Sequence, residues 1–208
     1  MKITGAALLA ENNEFFTLFR DGHFGPFADL NAARHILSAV PDMLRGDLND
    51  FGRGGITVRR VMLTALLAAW DAQNDLSPET GVLGWNGDGC TAENLVFWRD
   101  YLACGRETAR GGLFVATLPT IPYCEAAITL GCRGPVAYYR TAPSAVKLQS
   151  LLDASPRGQY LCGEVTNSSV CMMLADTAAA GTPLPDRPTL KELFTAWKTA
   201  EPSGEKEL

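Results

Sequence analysis

The stretch "ITVRRVMLTALLAAWDAQ" (56–73) constrains the fold more than any other part of the chain. Val61, Leu63, Ala65, Leu66, Ala68, Ala69 and Trp70 place apolar side chains round most of a helix circumference. A helix that is apolar on nearly every side has no wide solvent face and is largely buried. The remaining elements must therefore be arranged to cover it.

The flanking segments supply that cover. "KITGAALL" (2–9) predicts a buried strand. "ENNEFFTLFRDGHFGPFADL" (11–30) reads as a short helix and a loop, broken at Gly25-Pro26. Residues 31–40 read as helix and the glycine-rich 41–55 as loop. Residues 77–89 predict a turn, a strand around 80–85 and a glycine-rich exit. Residues 91–105 predict a helix that begins at Thr91 and stops at Gly105. "GGLFVATLPTIP" (111–122) reads as loop, 123–134 as a short helix ending at Gly131, and 135–140 as a strand. "RTAPSAVKLQSLLDA" (140–154) opens the next helix, and 158–165 and 169–176 read as two strands of a hairpin.

Strands alternate with helices, and two strands end the run. That order predicts an α/β fold, layered α-β-α, with a mixed, mostly parallel five-stranded sheet that ends in an antiparallel strand. The expected domain spans 1–178. A Pro/Gly linker and an amphipathic tail helix, with Leu190, Leu193, Phe194 and Trp197 on one face, occupy 179–208.

Composition narrows the function. The 208 residues are 47% hydrophobic and 20% charged, which are globular values. The net charge of −5 and the lack of a basic run argue against a nucleic-acid partner. No apolar stretch reaches the roughly 18 residues of a membrane helix. "ITGAALLA" reads as a strand rather than a signal peptide, so a cytoplasmic protein with no membrane partner is expected. Six cysteines (Cys90, Cys104, Cys124, Cys132, Cys162, Cys171) form no CxxC pair, and the only histidines are His23 and His35. Reduced thiols, no metal site and no cofactor are expected.

Four segments, in order, resemble the β-ketoacyl synthases, a thiolase-like family. "ITGAALLA" resembles their opening strand. "RRVMLTALLAAWDAQNDLSPETGVLGWNGDGCTAENLVFW" resembles their long helix, second strand and glycine-containing loop. "LFVATLPTIPYCEAAITLGCRGPV" resembles the run that ends in "LGLRGP", and "YLCGEV" resembles a later strand. The resemblance covers most of 1–176 and only the family's N-terminal half. It implies the thiolase-type fold.

The resemblance also implies a site that has lost its chemistry. The family places a nucleophilic cysteine in Thr-Ala-Cys-x-Ser-Gly, and here the pattern is "TAPSAV", with Pro143 at the cysteine position. Thr120 replaces an asparagine in the Leu-Pro-Asn loop, and the half that brings the two catalytic histidines has no counterpart here. A decarboxylative condensation needs a thiolate, a histidine or equivalent donor, and an oxyanion hole. No catalytic residue is therefore expected. Pro143 suits a helix start, where its missing N–H would be unpaired anyway. Ser144 and Cys90 are the weak candidate nucleophiles, Cys90 because a helix start lowers a thiol pKa.

The expected function is that of a non-catalytic accessory or partner subunit in bacterial-type fatty acid or polyketide synthesis. Its partner would be a condensing enzyme, in a homodimer or heterodimer, or an acyl carrier protein. The residues leave two other classes open: an acyl-thioester hydrolase or transferase using Cys90 or Ser144, and a module that binds an acyl chain or coenzyme A. In the family, the strand before the nucleophile pairs with its two-fold mate and the following helix is covered by the second half. The resemblance thus implies an interface of Val136, Tyr138, Tyr139, Val146, Leu148, Leu151 and Leu152. Either a subunit covers the helix that bears the last four, or the tail helix folds back over it.

Overall fold

Helix α2 (Ile56–Asp71) buries every residue from Val58 to Ala69 except Arg59, as an all-round apolar helix must. A computed structural model describes residues 1–105, 107, 110–141, 144–179, 181 and 185–200 of the chain. The elements before α2 are β1 (Lys2–Glu11), β2 (Phe15–Phe19), β3 (Gly22–Phe27) and α1 (Leu30–Leu37). After it come β4 (Gly81–Asn86), α3 (Thr91–Cys104), α4 (Gly111–Ala116), α5 (Ile121–Leu130) and β5 (Val136–Tyr139). The chain continues through α6 (Ala145–Asp153), β6 (Gln159–Val165), β7 (Ser169–Asp176) and α7 (Leu190–Ala200).

One sheet runs in the order β3-β2-β1-β7-β6-β4-β5. The pairs β4–β5 and β4–β6 are parallel, and the other four are antiparallel. The α/β class and the α-β-α layering agree with the sequence reading. The strand count of five does not: the described residues form seven strands, and the sheet is not mostly parallel. The difference lies in 11–30, read as helix and loop, which forms the β2–β3 hairpin. Phe15, Thr17 and Phe19 point into the core while Phe16 and Leu18 are only half-buried. Because both faces of β2 carry apolar side chains, the period of two is hidden in the sequence.

Two cores lie on opposite faces of the sheet. On one, Ala7, Leu9, Val82, Leu161 and Leu174 pack against α2 and against Tyr123, Ala126 and Ala127 of α5. Gly5 lets α2 approach β1 closely, since a Cβ there would stand 2.5 Å from the Ala68 carbonyl oxygen. On the other face, Leu83, Trp85, Cys162 and Met173 pack against Ala145, Leu148 and Leu152 of α6 and Leu190, Leu193 and Phe194 of α7. The tail helix therefore folds back onto the sheet beside α6. Its three inward side chains are at most 2% exposed, so α7 shares a core with 1–178 rather than standing apart from it.

Residues 111–122, read as loop, contain α4. The Gly111-Gly112 pair at its start disfavours helix locally. The stop of α5 at Gly131 is as read: this residue is left-handed, with φ +69°, the conformation that favours glycine.

Candidate functional site

The parallel strands β5, β4 and β6 end side by side. In open α/β sheets the crevice beyond these carboxyl ends is the usual ligand site. Here it is a cavity of about 370 Å³ lined by Trp85, Gly87, Asp88, Arg140, Thr141, Glu164, Val165 and Thr166.

Local chemistry orders its walls. Asn86, buried at the end of β4, accepts hydrogen bonds on Oδ1 from the N–H groups of Asp88 and Gly89, both at 3.1 Å. This Asx turn shapes the glycine-rich exit. The Tyr138 hydroxyl donates to the Asn86 carbonyl at 2.8 Å. Tyr139 stacks on Trp85, with ring centroids 5.8 Å apart. Behind them the Tyr123 hydroxyl donates to the Trp85 carbonyl at 2.6 Å. Burial holds the Tyr123 phenol well above its usual pKa and raises that of Tyr138.

Glu164 is the buried carboxylate of the crevice. Its Oε2 accepts from the backbone N–H of Leu190 at 2.8 Å and of Lys191 at 3.3 Å, and so caps α7. Burial nevertheless outweighs these bonds and raises its pKa above the ordinary carboxylate value. On α2, Arg60 is 5% exposed and donates from Nη1 to the Asn167 carbonyl at 3.2 Å. Its Nε and Nη2 have no partner among the described residues, and burial lowers its pKa against the opposing pull of Glu11 and Glu93. The sequence reading missed Glu164, Asn86 and Arg60. Only Arg60 carried a signal, as a charge inside an otherwise apolar helix.

The candidate nucleophiles Ser144 and Cys90 open different helices. Pro143 lies outside the described residues. Ser144 is the N-cap of α6, and its side chain makes no capping bond. Cys90 is the N-cap of α3, left-handed at φ +56°, and 3% exposed. The expectation that a helix start lowers its pKa is overturned: burial, reinforced by the Glu93 carboxylate, pushes the thiol up to about 11. The helix start is outweighed because the thiol is enclosed, and a thiolate there would lose its hydration. Thr120, at the asparagine position, is the N-cap of α5 and makes no capping bond either. Neither histidine lines the crevice. His23 lies on β3 beside a separate cleft of about 520 Å³ and His35 on α1. No cluster of His, Cys, Asp and Glu among the described residues is disposed to hold a metal ion.

The residues of the expected interface divide. Leu148 and Leu152 are buried in the core that α6 and α7 share with one face of the sheet. Leu151 is partly buried in the same core. Val136 and Tyr138 are half-buried, and Val146 and Tyr139 are 56% and 37% exposed. Strand β5 ends the sheet and, among the described residues, pairs with β4 alone. Among the described residues no helix is long and apolar enough to cross a membrane.

No protein-family model matches the chain, and no curated protein matches it by sequence. Solved structures do match. A chain from the ketosynthase in complex with its chain length factor from Xenorhabdus doucetiae superposes with a TM-score of 0.58 at 11% identity. That match covers 96% of this chain and 92% of the other. The ishigamide ketosynthase/chain length factor matches with a TM-score of 0.52 at 13% identity. The third is a type II polyketide synthase acyl-carrier protein in complex with its ketosynthase bound to the hexaketide, with a TM-score of 0.50 at 9% identity. Each of these two covers 85% of this chain, which spans 58% and 63% of their respective lengths. The chain thus has the thiolase-like ketosynthase fold.

Proposed function

We propose that this chain is a ketosynthase-like accessory subunit that pairs with a complete condensing enzyme in fatty acid or polyketide synthesis and does not itself condense. The observation that carries the reading is the match across nearly the whole of both chains to a member of a ketosynthase and chain length factor complex. The crevice supports it, since its walls carry Asp88, Arg140 and Glu164 but neither a thiol nor an imidazole among the described residues. The high pKa of Cys90 argues in the same direction, because a thiol protonated at neutral pH is a poor nucleophile. Strand β5, with one open edge and Tyr139 beside it, suits pairing with a partner strand.

Co-expression with a full-length ketosynthase from the same genome, followed by size-exclusion chromatography with light scattering, tests this reading. A stable complex with one copy of each chain is the expected result. Separate elution at micromolar concentrations of both overturns it. An acyl carrier protein is the alternative partner, and the same experiment with that protein distinguishes the two.

A further inference from the structure

The cleft beside His23 shares no residue with the crevice. It lies between the β2–β3 hairpin and the end of α2. Its volume of about 520 Å³ is in the usual range for a small-molecule site. The hairpin supplies Phe19, Asp21 and Phe24, and α2 and its exit supply Trp70, Asp71 and Gln73.

The charge of these walls favours a cation. Asp21 and Asp71 bring two carboxylates, and no lysine or arginine among the described residues lines the cleft. Asp71 is fixed in place, since its Oδ2 accepts the backbone N–H of Ala6 at 2.8 Å. Arg20 lies between Phe19 and Asp21 in the chain, but its guanidinium sits over the Trp197 ring of α7, 5.0 Å from the centroid. Trp197 packs in the core on the other face of the sheet. Helix α2 also ends at the cleft. The C-terminus of a 16-residue helix carries partial negative charge, and no basic residue stands in its last turn to offset it.

The rings decide what kind of cation fits. Phe19, Phe24 and Trp70 form a three-way cluster, with centroids 5.8, 5.3 and 6.5 Å apart and planes inclined at 87°, 67° and 74°. Phe24 and Trp70 are half-buried, so part of each ring stays open. A ring face attracts a cation, and tryptophan does so best. The same rings also take an alkyl body. A divalent metal ion instead needs convergent oxygen ligands, and no group of three His, Cys, Asp or Glu among the described residues is disposed to hold one.

We propose that this cleft binds a small organic ammonium ion, with Trp70 and Phe24 against its charged nitrogen and alkyl groups and Asp21 and Asp71 balancing its charge. The site uses none of the residues that support the accessory-subunit reading, and it stands or falls apart from that reading.

Isothermal titration calorimetry tests it with choline and n-butylammonium, each beside a neutral counterpart, dimethylbutanol and n-butanol. At least one cation should bind saturably at one site, about tenfold or more tighter than its neutral counterpart. The indole N–H resonance of Trp70, identified by its loss in Trp70→Phe, should shift on binding. Asp21→Lys, at an exposed turn, should abolish binding with the melting temperature unchanged, and Asp186→Lys, exposed and off the cleft, should leave it intact. Should Trp70→Phe fail to fold, Asp21→Lys still decides the matter. Equal affinity for the neutral counterparts, full binding by Asp21→Lys, or no binding of either cation at millimolar concentration overturns the proposal.

Discussion

The Glu164 carboxylate on β6 accepts the backbone N–H of Leu190 at 2.8 Å, so a side chain from the sheet caps a helix 26 residues farther along. The bond ties the candidate crevice to the helix that closes the second core. It also places a titratable group where water is largely excluded, and its pKa is raised.

The first prediction concerns that group. A raised carboxylate pKa means that the folded state holds the proton more tightly than the unfolded chain. The stability this confers is complete below the unfolded pKa of about 4.3 and is lost as pH rises through the folded value. Glu164→Gln keeps an acceptor for the Leu190 N–H without a buried charge. Relative to the parent, the variant should therefore gain stability as pH rises above about 4. Urea unfolding of both proteins across that range measures the difference. A constant difference would contradict the assignment.

Gly84 and Gly163 face each other across β4 and β6 and make room for the Tyr123 ring. A Cβ at Gly84 would stand 2.3 Å from that ring, which is buried and cannot swing away. Gly84→Ala should cost about 1–3 kcal/mol in chemical denaturation, the range for overpacked cores. Tyr123→Phe removes the bond to the Trp85 carbonyl and should cost about 1 kcal/mol.

Thiol reactivity should follow burial. Cys104 is exposed, whereas Cys90, Cys162 and Cys171 are buried with raised pKa values. Brief alkylation with iodoacetamide at neutral pH, read by peptide mass, should modify Cys104 and spare those three until the protein is unfolded. Rapid, selective labelling of Cys90 would revive the thioester-hydrolase alternative.

Phe194 anchors α7 and is 2% exposed. Phe194→Ala should cost about 3–5 kcal/mol and loosen the core that α7 shares with α6 and the sheet. Increased binding of a hydrophobic dye before global unfolding would report the loosened helix. An unchanged melting temperature would show that α7 is dispensable for the fold.

Much of the architecture was legible in the sequence. The all-round apolarity of 56–73 requires burial, and the short apolar runs at 2–9, 158–165 and 169–176 are strands because they are too brief and too apolar to be surface helices. The β2–β3 hairpin was not legible. "NEFFTLF" is apolar on both faces, so alternation disappears, and a hairpin is chosen by its neighbour β1 rather than by its own pattern. At the crevice, the glycine-rich exit through Asp88 could be read from the chain. Glu164 could not, because a buried carboxylate is recognisable only once its amide partners on α7 are known.

The sequence by itself determined which segments must be buried, since hydrophobic spacing is a local property of the chain. Only the tertiary structure decided what covers what. It laid α6 and α7 on the same face of the sheet, burying Leu148 and Leu152 there, and it left Leu95, Trp98 and Leu102 of α3 in solvent. An amphipathic or apolar stretch specifies that a face needs cover, but the same apolar area can be buried by any complementary surface. Which surface does so is settled by long-range packing and by contacts such as Glu164 to Leu190 that no local pattern encodes.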